Sequence, residues 1–218
     1  MNKKCFIFDL DGVIVDTAKY HFLAWKNLAN SIGVDFSHAQ NEQLKGVSRQ
    51  RSLEKILGWG NQTLSDTDFQ DLMEKKNSEY LNYVTTMGRS ELLPEVERTI
   101  HFLIEKNQYV TLGSASKNAR LILEKTSLID AFDAIVDGND VSEAKPNPEV
   151  FLKAAQLTNT QPNQCIVFED SVAGIQAANA AGMTSIGIGN ESVLNEAVYN
   201  FTDFTEISNY FLEELIKN

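Results

Sequence analysis

Apolar residues are arranged in two ways along this chain. Consecutive apolar runs, rich in β-branched residues and Phe, occupy Cys5 to Phe8, Tyr109 to Leu112, Phe132 to Val136, Cys165 to Phe168 and Thr184 to Ile188. A run that is apolar on both alternating faces predicts a strand covered on both sides, as in a parallel sheet. The last four runs are separated by helical spacing at Val96 to Lys106, Asn118 to Lys125, Glu149 to Gln156 and Ser171 to Ala181. Strand alternating with helix is the pattern of a parallel α/β fold. One interval breaks the rhythm. From Thr17 to Val84 the periodicity is helical, over 21–29, 49–57 and 68–83, and no strand pattern occurs. That is about 65 residues, far more than a crossover needs. The chain therefore divides into an α/β core at 1–16 and 85–218 and an inserted α-helical domain at 17–84, with turns at Gly46 and Gly58 to Gly60.

Charge narrows the partners. The formal net charge is −11 over 218 residues, which argues against a nucleic-acid backbone or an anionic membrane surface. A small anionic substrate stays open, provided positive charge is concentrated locally. No apolar run reaches the roughly 18 residues of a membrane span. Lys3 and Lys4 are followed too soon by Asp9 and Asp11 for a secretory segment, so a cytoplasmic protein is expected. Cys5 and Cys165 lie in apolar runs without C-x-x-C spacing, and are expected as buried, reduced thiols rather than zinc ligands or a bridge.

The acidic residues sit at strand ends. The first strand runs into Asp9-Leu10-Asp11-Gly12 and the fourth into Glu169-Asp170-Ser171. Ligands of open parallel sheets bind at the carboxyl ends of strands. If strands one and four are neighbours, four acidic residues converge. Such crowding calls for a cation, and an all-oxygen donor set selects a hard one such as Mg²⁺. A calcium loop does not fit, because a strand precedes Asp9 and the apolar Ile14 and Val15 follow. A carboxylate can attack phosphorus to give an acyl phosphate, and a second carboxylate two residues on can move the proton. Gly12 would let the chain turn sharply off the strand.

The complementary positive charge follows strand two, in Ser114-Ala115-Ser116-Lys117-Asn118 before a helix, and at Lys145 before Pro146. Hydroxyls and N–H groups at a helix start, with a Lys, form an anion site.

In this order, D-L-D-G-V at Asp9 to Val13, Ser114, Lys145 and E-D-S-x-x-G-I at Glu169 to Ile175 resemble the four motifs of the haloacid dehalogenase superfamily of phosphotransferases. The resemblance implies a Rossmann-like parallel sheet core with an inserted α-helical cap domain. Asp16 to Trp25, Asn41 to Arg49, Ser114 to Asn118 and the Lys76-Asn77 pair further resemble the β-phosphoglucomutase branch. That branch implies a Mg²⁺-dependent isomerase of carbohydrate metabolism, phosphorylated on Asp9, which interconverts β-D-glucose 1-phosphate and glucose 6-phosphate through a bisphosphate. Asp9 would be the nucleophile and Asp11 the general acid/base. One Mg²⁺ per chain would be held by Asp9, the carbonyl of Asp11, Glu169 and Asp170. Ser114, Ala115 and Lys145 would hold the transferring phosphate. Arg49, Ser116, Lys117 and Asn118 would hold the second phosphate, and Thr17, His21, Lys45, Gly46, Val47, Ser48 and Lys76 would join cap to substrate. The expected partner is a small-molecule sugar phosphate, with no nucleic acid or membrane, and the expected state is a monomer. Phe22 and Trp25 read as cap core. Glu95 departs from the branch, which often has Gly after the Pro at this point.

A sugar-phosphate phosphatase shares every core motif and is the main rival; the Lys45 to Arg49 loop favours the mutase. A dehalogenase has no need of Asp11. A phosphonate hydrolase would need a Schiff-base Lys in the cap. A non-catalytic binding protein would be expected to have lost Asp9 or Lys145.

Overall fold

The computed structural model describes residues 3–217, so the ends of the expected core domain at Met1, Asn2 and Asn218 lie outside the described residues. Six strands form one parallel sheet: β1 (Cys5–Phe8), β2 (Tyr109–Gly113), β3 (Ala134–Val136), β4 (Cys165–Glu169), β5 (Thr184–Ile188) and β6 (Tyr199–Phe201), in the order β3-β2-β1-β4-β5-β6. The five predicted runs are the first five. β6 was not predicted: it is three residues long, half-buried, and has Asn200 at its centre, so it carries no apolar run. β3 starts at Ala134 because the preceding Asp133 already spends its carboxylate on the Val110 N–H, 2.9 Å away.

Between β1 and β2 lie α1 (Ala18–Ser31), α2 (His38–Glu42), α3 (Arg49–Trp59) and α4 (Asp66–Val84), and no strand. Phe22, Trp25, Leu28, Val34, Phe36, Leu44, Leu53 and Ile56 form their own buried apolar cluster. α2 was not predicted from periodicity, since five residues hold barely one turn. Its signal is a capping box, in which Ser37 and Gln40 satisfy each other's backbone N–H groups. α5 (Val96–Glu105) follows α4 and leads into β2, and α6 (Ala119–Lys125), α7 (Glu149–Leu157), α8 (Val172–Ala180) and α9 (Asn209–Lys217) come after β2.

The period of two along β1 decides the layering. Phe6 and Phe8 pack with Ile100 and Leu103 of α5, Ile122 of α6 and Leu212 of α9. Cys5 and Ile7 face the other way, onto Val150 and Phe151 of α7 and Ala177 of α8. Phe8 stacks on Phe168 with ring centroids 4.7 Å apart, and Phe168 lies tilted against Phe204 at 5.3 Å. Loss of one such buried ring to Ala typically costs about 3–5 kcal/mol. β1 and β4 are direct neighbours, pairing Cys5 with Cys165 through to Phe8 with Phe168. The two buried thiols are free and lie at the strand ends away from Asp9 and Glu169.

Glu95, the departure from Gly, has φ +61° at the start of α5. This left-handed conformation costs an ordinary residue about 1–2 kcal/mol. The Glu95 carboxylate, 2.7 Å from Arg98 Nε, offsets part of that strain.

Candidate active site

Because β1 and β4 are adjacent, Asp9 and Glu169 emerge side by side. Lys145, almost wholly buried, reaches between them: its Nζ is 2.5 Å from Asp9 Oδ1 and 2.6 Å from Glu169 Oε1. The Lys145–Pro146 peptide is cis. Burial opposes the ammonium, but Asp9 and Glu169 outweigh it and keep Lys145 charged. Asp9 is pushed well above the usual carboxylate range by burial; Lys145 opposes this, and the negative Glu169, Asp11 and Asp170 add to it. Asp170 is likewise raised to about 7, by burial first and then by Glu169 and Asp11, against the pull of Lys45.

Both oxygens of Glu169 are engaged. Oε1 takes Lys145, and Oε2 accepts from the Ser171 N–H at 2.7 Å and the Ser171 hydroxyl at 2.8 Å. It is fully buried and serves here as an anchor for Lys145, whereas the resemblance implied a metal ligand. Among the described residues no three Asp, Glu, His or Cys side chains stand at metal-binding spacing. The acidic residues that line the cavity, Asp9, Asp11 and Asp170, still suit a hard cation in chemistry, and the mutual repulsion that adds to burial in raising Asp9 and Asp170 is what a cation would relieve. Gly12 turns the chain here with φ +83°; a Cβ on it would stand 2.2 Å from Asp170 Oδ2.

Asp11 is held differently. Thr17 begins α1, where its hydroxyl would ordinarily cap the helix, but it makes no cap bond and donates to Asp11 Oδ1 instead. His21 Nε2 is 3.7 Å from the same oxygen, and His21 Nδ1 lies 2.9 Å from Lys76 Nζ. An ammonium can only donate, so Nδ1 accepts and the imidazole proton sits on Nε2, facing Asp11. Burial would raise the Asp11 carboxyl, but His21, Thr17 and Lys76 hold it below its ordinary value. Asp11 is therefore ionised and ready to take a proton.

Lys76 is 2% exposed, although its helix is charged along its length. Its ammonium lies 4.8 Å from the Trp25 ring and 4.7 Å from the Tyr80 ring. Burial, then Arg49, lower it to about 7. The folded chain thus gives up this proton near pH 7 and the unfolded chain near 10.5, so the penalty is complete below pH 7 and fades as pH rises to 10.5. Lys76→Met is expected to be more stable than the parent by about 1–3 kcal/mol at pH 6, the lost cation–π contacts offsetting part of the gain, and to lose that advantage towards pH 10. Urea unfolding at the two pH values checks this.

Asp9 and Asp11 open into one cavity of about 320 Å³, which the helical segment and the sheet edge line together. Its wall includes His21, Lys45, Gly46, Val47, Ser48, Arg49 and Lys76 from one side, and Ser114, Ala115, Ser116, Lys117, Asn118 and Asp170 from the other. Of the expected site residues, Thr17, Lys145 and Glu169 are not part of that wall: Thr17 contacts Asp11, and Lys145 joins Asp9 to Glu169. Ser48 lines the wall and also caps α3 through the Arg51 N–H. Besides the Thr17 and His21 contacts with Asp11 and those of Lys19 and Tyr20 with Glu91, the halves meet through Lys45 Nζ and Asp170 Oδ2 at 3.1 Å, and through Asn118 Nδ2 and Asn77 Oδ1 at 3.0 Å. Gly46 makes a further approach possible. Its φ is +70° and a Cβ there would meet Ser171 Oγ at 2.6 Å. Gly46→Ala is expected to raise KM several-fold, about 1 kcal/mol of strain and displacement, with little change in Tm; steady-state kinetics beside a melting curve test this.

Arg49 is half-buried, lowered somewhat by burial, and pairs with no carboxylate among the described residues. A partly desolvated guanidinium facing a cavity is suited to an anion from outside. Asn41, at the start of the stretch that resembles the β-phosphoglucomutase branch, also lines the cavity, as do Trp25, Ser52, Tyr80 and Glu143, to which sequence reasoning gave no place there. Trp25 does belong to the apolar cluster of the helical segment as read, and it presents one ring face to Lys76 as well. For Tyr80 the available signal was its spacing of four from Lys76 on one helix.

Comparison with known proteins agrees with this geometry. The chain belongs to the haloacid dehalogenase-like hydrolases, whose family description matches residues 3–182. It is 43% identical over 188 residues to β-phosphoglucomutase of Bacillus subtilis strain 168, covering 85% of this chain and 83% of that protein. It is 34% identical over 182 residues to a fructose-1-phosphate phosphatase of Escherichia coli strain K12, covering 84% and 94%. The crystal structure of β-phosphoglucomutase from Clostridium difficile superposes with a TM-score of 0.95 at 38% identity, covering 99% of this chain and 98% of that one. The family implies a divalent metal and an enzyme acting on sugar phosphates.

Proposed function

We propose that this protein is a Mg²⁺-dependent β-phosphoglucomutase that interconverts β-D-glucose 1-phosphate and glucose 6-phosphate through β-glucose 1,6-bisphosphate and a phosphorylated Asp9. The observation that carries the reading is the Arg49 guanidinium, which pairs with no carboxylate among the described residues and lines one cavity together with Asp9 and Ser114. A phosphatase needs one phosphate site; a mutase needs two.

In this reading the sugar phosphate places its phosphate against Arg49, Ser116, Lys117 and Asn118, and its free hydroxyl against phosphorylated Asp9. Asp11, ionised, takes the hydroxyl proton as that oxygen attacks phosphorus and the bond to Asp9 breaks. After the bisphosphate turns round, Asp9 attacks the other phosphorus, and Asp11 returns the proton to the departing sugar oxygen. Ser114, the Ala115 N–H and Lys145 hold the transferring group. Asp9, Asp170 and the Asp11 carbonyl would hold the Mg²⁺, which offsets the charge that gathers on the phosphoryl oxygens. Residues 17–84 act as a cap, and the Lys45 to Asp170 and Asn77 to Asn118 contacts hold it over the site while water is excluded. The protein works as a cytoplasmic monomer with one Mg²⁺ per chain and no nucleic-acid or membrane partner; no described helix is long and apolar enough to cross a membrane.

The rival is a sugar-phosphate phosphatase, favoured by the similarity to the E. coli fructose-1-phosphate phosphatase and by the ability of Asp11 to activate water as well as a sugar hydroxyl. A coupled assay with β-D-glucose 1-phosphate, Mg²⁺ and a trace of bisphosphate separates the two. Fast glucose 6-phosphate with little inorganic phosphate supports the mutase; dominant phosphate release makes the protein a phosphatase. Arg49→Ala is expected to raise KM about 10- to 100-fold, the worth of a charge-assisted phosphate contact, and to increase the share of phosphate released.

A further inference from the structure

Tyr80 is 1% exposed and lines the cavity, yet its hydroxyl has no hydrogen-bond partner among the described residues. A buried, unmatched hydroxyl costs about 1–3 kcal/mol, and Phe would fill the same space without that cost. Everything else about the side chain is engaged. Its ring lies 4.2 Å from the His21 ring and beneath the Lys76 ammonium. Thr17, which donates its own proton to Asp11, is fully buried and keeps an acceptor lone pair. Thr17 stands one turn before His21, whose N–H donates to the Thr17 carbonyl at 3.0 Å, so it belongs to the turn on which the Tyr80 ring packs, and burial with the Asp11 charge keeps the phenol protonated. A phenol that stays protonated is always a donor.

We infer that Tyr80 is a positioning residue whose hydroxyl donates to Thr17 Oγ1 when the cap seats on substrate, completing a chain from Tyr80 through Thr17 to Asp11. A hydroxyl that accepts one hydrogen bond donates a stronger one, so the chain tightens the hold on the same Asp11 oxygen that His21 faces. The inference rests on the role of Asp11 as the proton-transfer group in the reading above.

The test is a double-mutant cycle of Tyr80→Phe with Thr17→Val, repeated with Thr17→Ser, scored on whichever reaction the wild-type chain performs, isomerisation or phosphate release. Failure of the mutase reading would therefore appear in the wild-type chain, separately from the cycle. Tyr80→Phe is expected to lower kcat about tenfold, one well-made hydrogen bond in the transition state, with KM within about twofold and Tm unchanged or higher. In the Thr17→Val background the Tyr80→Phe effect should vanish; in Thr17→Ser, which keeps the hydroxyl, it should return. Full kcat in Tyr80→Phe, or effects that multiply in the Thr17→Val background, would overturn the inference. Should Thr17→Val fail to fold, the Thr17→Ser background decides: a tenfold loss on Tyr80→Phe supports the chain and no loss rejects it.

Discussion

Asp9→Asn is expected to lower phosphoryl transfer by about four orders of magnitude or more, the scale seen when a nucleophile is removed, while leaving the protein as stable as the parent or more so. The first half follows from chemistry, because an amide oxygen cannot take up phosphorus to form the acyl phosphate. The second half follows from electrostatics. In the parent, burial and three neighbouring acidic groups press on the Asp9 carboxylate, and only Lys145 opposes them. An amide of the same shape escapes the burial penalty on charge, and Lys145 keeps Glu169 at 2.6 Å. A group whose folded pKa is raised weakens the fold above its unfolded pKa, so the parent is penalised as pH rises through the carboxylate range and beyond. The Asn variant should therefore gain most at neutral pH and nothing near pH 3. Kinetics and melting curves across that range check both halves. A variant that retained turnover would place the nucleophile elsewhere.

Lys145→Ala should damage both properties. The ammonium is buried and touches two carboxylates that are themselves buried. Removing one member of such a cluster leaves uncompensated charge, at a cost of about 3–5 kcal/mol, which for a chain of this size lowers Tm by about 10 °C. With its one opposing cation gone, Asp9 rises further, so the deficit should narrow as pH falls and the carboxyl takes up a proton. Mg²⁺ should restore part of the stability, since the same acids would then face a cation again. Activity should fall with the phosphate contact even under those conditions. Scanning calorimetry at pH 5 and pH 8, with and without Mg²⁺, distinguishes this from loss of packing alone, which neither pH nor metal would rescue.

How the site is assembled was legible in part. Asp9, Asp11, Ser114, Glu169 and Asp170 could be read from motifs because each sits at or just past a strand end, and a parallel sheet brings those ends together; Lys145, in the longer connection between β3 and α7, could be read from its motif alone. Arg49 and Lys45 could be read only by resemblance, since a loop between helices has no period. Trp25 and Tyr80 were invisible as cavity residues, because an aromatic at helical spacing reads as core and both also serve the core. β6 and α9 were missed for a different reason: an edge strand with a central Asn, and a helix after the last clear strand, give local signals too short to separate from loop.

The sequence by itself determined the parallel α/β core, the helical insertion after the first strand and the gathering of acids at one edge, because periodicity and strand-end position are local properties. Only the tertiary structure decided which groups those residues meet. It turned Thr17 from a helix cap to Asp11, buried Lys76 between two rings against His21, closed both oxygens of Glu169 on Lys145 and Ser171, and left Arg49 lining the cavity with no acid paired to it among the described residues. Each of these depends on side chains far apart in the chain approaching within a few ångströms. That approach is set by how the helical segment packs on the sheet, which no local pattern contains.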